Sequence, residues 1–160
     1  MSGMEWTKWS AIAEIVSAVA VVVTLIFLIA GIQENTAITR VSVYGDLMET
    51  ISQIENLSIA DPELNRVIST LYDGTTESLT DSERMTVRQY LTVIFRNYER
   101  AYFSREYDVI GDEEWERFER LICANSRRAK LVGLDLVEQG EFLTGSFRKY
   151  IESSCGNARE

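Results

Sequence analysis

Residues 15–32, IVSAVAVVVTLIFLIAGI, form eighteen consecutive positions without a charged side chain. At the rise of an α-helix such a run covers about 27 Å, close to the hydrocarbon thickness of a bilayer. Ala11 to Ala13 extend it. A transmembrane helix is therefore expected over residues 11–32, with a short tail over 1–10 and one acidic, soluble helical domain over 33–160. The run exceeds the apolar core of a cleaved signal peptide, and Ile29-Ala30-Gly31 puts a bulky residue where a small one precedes a cleavage site. A buried core helix would carry a polar stripe, which this segment lacks.

Beyond the run the apolar positions keep a helical period. Ile38, Val41, Tyr44, Leu47, Ile51 and Ile54 recur at threes and fours, predicting an amphipathic helix over 36–57 that follows the span without a Pro or Gly cluster. The single proline, in Asp61-Pro62-Glu63-Leu64, marks a helix start, with the helix running to about Leu71. A loop over 72–79 is built on Asp73-Gly74. Thr80-Asp81-Ser82-Glu83 reads as a capping box opening the longest soluble helix, which should reach Tyr107. Its stripe is Val87, Leu91, Ile94, Tyr98 and Ala101 or Tyr102, widened by Phe95 and Phe103. A helix from Asp112 should turn Trp115, Phe118, Leu121 and Ile122 inward. Asn125 or Ser126 is expected to cap a further helix that buries Leu131, Leu134 and Val137 and ends near Gly140. A last helix over about 145–153 offers Phe147, Tyr150 and Ile151. No strand-like alternation appears, so the fold class is all-α: one amino-terminal transmembrane helix continuing into a small helical bundle.

The span has an uneven surface. Ser10, Glu14, Ser17, Val21, Thr24, Leu28 and Gly31 fall on one face at steps of three and four. Small and hydroxylated residues at such spacing let membrane helices approach and hydrogen-bond across the gap. Self-association through Ser10, Glu14, Ser17, Thr24 and Gly31 is expected, with Glu14 read as a cap at the helix start and as a packing residue. The alternative makes the Glu14, Ser17, Thr24 and Gly31 face the lining of a pore in a small oligomeric ion channel or ion-handling protein. Trp6, Lys8 and Trp9 form an interfacial belt just before the run.

Charge and chemistry narrow the functions. The chain carries a net charge of −9, and residues 33–160 hold 15 Lys and Arg against 23 Asp and Glu, giving 15 − 23 = −8. Such a surface is repelled by nucleic acid and by an anionic leaflet, so no nucleic-acid partner is expected. Histidine is absent from the sequence, which removes the commonest general base and metal ligand. Glu113, Glu116 and Glu119 are three apart, as in metal-binding bundles, but those sites pair Glu with His, and a solvated acidic face is the better account. No nucleophile with a base, phosphate-binding loop or complete metal set is recognisable, so neither catalysis nor a cofactor or metal is expected. The two cysteines, Cys123 and Cys155, are too few for a disulfide framework; they read as thiols without a role, with one bond between them as the alternative. Lys8 and the amino group on one side of the span balance Arg40 on the other too closely to orient it.

Ala13-Glu14-Ile15 opening the span, Gln33 and Asn35-Thr36 at its exit, Asp61-Pro62-Glu63-Leu64, Leu79-Thr80 with Glu83-Arg84, Phe95-Arg96 to Glu99 with Tyr102, and the acidic turn Asp112 to Trp115 follow one another in order. In this the chain resembles a widespread family of uncharacterised bacterial single-span membrane proteins with a C-terminal helical domain. The resemblance covers most of the chain and implies an inner-membrane anchor with a cytoplasmic helical domain and no assigned activity. Members carry more Arg just after the span, whereas this sequence has only Arg40 there, and an aromatic of the penultimate helix is replaced by residues such as Val132. The function expected is that of a membrane-anchored, self-associating interaction or structural module. It would form homo-oligomers through the span and present its acidic domain to a protein partner.

Overall fold

The computed structural model describes the backbone of residues 3–156 and the side chains of residues 9, 10 and 13–156. Among the described residues it is all-α, with five α-helices, one 3-10 turn and no strand. Helix α1 spans Gly3–Ala60, α2 Pro62–Tyr72, α3 Asp81–Glu106, α4 Asp112–Leu131 and α5 Gly145–Cys155, with the 3-10 turn at Thr76–Ser78. The chain divides into two compact units, Met1–Val41 and Ser42–Glu160.

In the first unit the helix begins at Gly3, so the expected tail is already helical from there. Glu14 consequently lies three turns inside α1. The free N–H groups of a helix belong to its first four residues, and Glu14 is too far along to cap them, which corrects that reading. Every described side chain of this unit is exposed. Ile38 and Val41, expected to start the inward stripe, are 63% and 75% exposed and belong to this uncovered surface.

The second unit owns the core. From Val43 onward α1 turns Tyr44, Met48, Ile51 and Ile54 against it and buries Leu47 completely. Asp61 accepts the N–H groups of Glu63 (2.9 Å) and Leu64 (3.2 Å), and Pro62 supplies the first helical residue of α2. At the start of α3 the Thr80 hydroxyl accepts from the Glu83 N–H while the Glu83 carboxylate accepts from the Thr80 N–H at 2.7 Å, closing the expected capping box. Val87, Leu91, Ile94, Tyr98 and Ala101 are all buried along α3, as their period predicts, and Phe95 with them; Phe103 is half-exposed.

Helices α2, α3 and α4 end alike. In each, one N–H reaches back three residues and the next reaches back five: Gly74 and Thr75 after α2, Asp108 and Val109 after α3, Gly133 and Leu134 after α4. This is the Schellman arrangement, which needs its first residue in the left-handed region. Gly74 (φ 74°) and Gly133 (φ 71°) adopt it without a side-chain penalty, and Asp108 (φ 56°) is among the residue types that tolerate it. Leu131 and Val132, whose carbonyls the end of α4 leaves free, accept from Thr76 Oγ1 (3.2 Å) and Arg88 Nε (2.8 Å).

The expected break at Asn125 or Ser126 does not occur. Both residues are buried inside an uninterrupted α4, and the Asn125 side chain donates to the Tyr98 hydroxyl at 2.8 Å. The residues expected to form a further helix to Gly140 instead make an irregular segment that buries Val132, Leu134 and Leu136 and leaves Val137 half-exposed. Leu131 and Leu121, both expected inside, are exposed.

Helix α5 runs alongside α4 in the same sense. Tyr150 packs against Trp115 with the rings tilted and their centroids 5.5 Å apart, and its hydroxyl donates to Glu119 at 2.8 Å. Further along, Cys155 is joined to Cys123 by a disulfide, with Cα atoms 4.9 Å apart. The two cysteines expected as separate thiols are thus a covalent clip between α4 and α5. Phe147, Ile151 and Cys155, at steps of four, lie on the side of α5 that meets the core.

Candidate functional site

Two features of the molecule are candidates for function: the uncovered α1 surface of the first unit and a cavity in the second. Helix α1 is long and apolar enough to cross a membrane, and none of its apolar window is buried within the chain. Leu25, Ile26, Phe27, Leu28 and Ile29 stand exposed on all sides of it. Next to the run Trp9 is 70% exposed, as an interfacial ring would be; the side chains of Trp6 and Lys8 lie outside the described residues.

Ser10, Glu14, Ser17, Thr24 and Gly31 are all exposed on this continuous helix, so the polar face read from the sequence is present on one rod. Thr24 departs from its expected role in part. Its hydroxyl donates to the Ala20 carbonyl of the preceding turn at 2.8 Å, which leaves it an acceptor rather than a donor toward a neighbour. A Cβ added at Gly31 meets nothing within 4 Å in the chain itself. Any cost of a larger residue there would therefore come from another molecule.

The acidic positions of α4 do not converge. Glu116 pairs with Arg120 at 2.7 Å and Glu119 accepts from Tyr150, so each has a separate partner. A cavity of about 250 Å³ opens between the end of α4, the irregular segment and α5, where Arg127 and Lys130 stand beside Asp135, Glu138 and Glu152. The Ser126 hydroxyl at its wall is buried without a hydrogen-bond partner among the described residues. Asp135 is committed to the N–H groups of Val137 (2.8 Å) and Glu138 (3.1 Å), and these bonds hold its carboxyl below the usual carboxylate range.

The capping box at the start of α3 carries an electrostatic effect of its own. Hydrogen bonds from the Thr80 hydroxyl and backbone, then from Arg66, hold the Glu83 carboxyl at about 2 instead of 4.5. A carboxyl depressed on folding contributes stability that is complete above the unfolded value and is lost as pH falls. The acid limb of unfolding should therefore steepen between pH 4.5 and about 2. Glu83→Gln should flatten that limb in a urea titration at stepped pH; parallel acid limbs for the two proteins would contradict the assignment.

No family model matches this sequence, and no curated protein or solved structure is significantly similar to it.

Proposed function

We propose that this chain is a single-span membrane protein that self-associates through the polar face of α1 and presents the helical Ser42–Glu160 unit as an interaction platform without catalytic activity. The observation that carries the reading is the α1 surface itself: an apolar helix of bilayer-spanning length whose apolar window is unburied among the described residues. A protein of the bacterial inner membrane, of the kind the chain resembles, accounts for that surface. The second unit has a closed core of its own, so its exposed acidic helices are available to a protein partner.

Ser17 and Gly31 give the association face its closest approach. The native mass of the detergent-solubilised full chain is expected to correspond to a defined oligomer, and Ser17→Leu with Gly31→Leu should shift it to the monomer while membrane insertion persists. A monomeric parent chain would contradict self-association. One observation favours the ion-handling alternative as a second reading: Glu14 lies on the same face within an unbroken helix, so its carboxylate has no capping role there. An oligomer of four or more chains would bring that face onto a shared axis.

A further inference from the structure

The Cys123–Cys155 bond joins the only two cysteines in the sequence. Their helices also meet through Tyr150 against Trp115 and Glu119, with Phe147 and Ile151 in the core, so the packing of α5 on α4 places the two cysteines side by side. Thiols held this close on the cytoplasmic side of a membrane are kept reduced, whereas on the other side they are oxidised and stay so. Lys8 before the apolar run and Arg40 after it balance, so basic residues impose no opposite orientation.

We infer that the Ser42–Glu160 unit lies on the oxidising, non-cytoplasmic side of the membrane, where the Cys123–Cys155 disulfide forms, with the amino end of α1 in the cytoplasm. This rests on the reading of α1 as a span, and it opposes the cytoplasmic domain that the family resemblance implies. Bond formation is a thiol–disulfide exchange: the two cysteine thiols give up two electrons and two protons to a disulfide donor of that compartment, which leaves as a dithiol.

The test uses the full chain in bacterial cells. After acid quenching and blocking of free thiols, a polymer maleimide should tag both cysteines only in samples that were then reduced. The Glu77→Cys variant, altered at an exposed position of the 3-10 turn, should react with a membrane-impermeant maleimide in intact spheroplasts as fully as after permeabilisation. Native cysteines found already blocked, and so untagged after reduction, would overturn the inference. So would reaction of the Glu77→Cys site only in permeabilised cells. Release of the chain from washed membranes by alkaline carbonate would instead overturn the anchoring on which the inference rests, whichever side is labelled.

Discussion

Replacing Tyr98 with Ala is expected to destabilise the Ser42–Glu160 unit by about 3–5 kcal/mol, the cost of emptying a large aromatic site in a packed core. Tyr98 is 4% exposed and meets Phe95 and Phe118 edge to face, with ring centroids 5.6 and 6.4 Å apart. Phe118 in turn meets Tyr44 of α1, so this aromatic chain links α1, α3 and α4. The hydroxyl is a second link. It accepts from Asn125, and burial pushes its pKa up to about 12. Tyr98→Phe should therefore cost less than truncation, about 1–3 kcal/mol, because it leaves the buried Asn125 amide without an acceptor. Urea unfolding followed by near-UV circular dichroism separates the two variants; equal losses, or none from Tyr98→Ala, would contradict the packing. Trp115, only half-buried, should tolerate truncation better than Tyr98.

Loss of the disulfide is the second large effect. A bond between residues 32 apart in sequence removes chain entropy from the unfolded state worth on the order of 3–4 kcal/mol. Cys123→Ser with Cys155→Ser, or reduction of the parent chain, should lower stability by that amount. The loss should concentrate on α5: exchange of its amide hydrogens should accelerate more than that of α3, since the clip sits in the last turn of α5. Unchanged unfolding after full reduction would show that the α4–α5 contact holds without it.

The parts of this fold that were legible in the sequence are those fixed by local physics. The stripe Val87, Leu91, Ile94, Tyr98, Ala101 follows from helical period and is buried as a set. The Asp61-Pro62 start and the Thr80–Glu83 box satisfy the free N–H groups of the helix they open, so the residues at each boundary name it. What was misread depends on neighbours distant in sequence. Asn125 and Ser126 have the chemistry of caps, and only the position of Tyr98 decides that the Asn125 amide bonds across the core instead. Ile38 and Val41 precede Leu47 by successive steps of three, each short of a full turn, so they drift around α1 off the Leu47 face and stay exposed. The Cys123–Cys155 pair required the alignment of α5 on α4; the spacing of Phe147, Ile151 and Cys155 was the available signal for half of it. Spacing alone puts Ser10, Glu14, Ser17, Thr24 and Gly31 on one side of a helix, whereas the helix start at Gly3, which removes the capping role of Glu14, was hidden among the mixed residues before the run.

The anchoring of this chain is tested most directly by alkaline carbonate extraction of membranes that contain it. The full chain is expected to stay in the membrane pellet and to be released only by detergent, and Val22→Arg with Leu25→Arg, two charges set into the middle of the apolar run, should move it to the supernatant. Release of the unaltered chain by carbonate alone would contradict a helix that spans the bilayer.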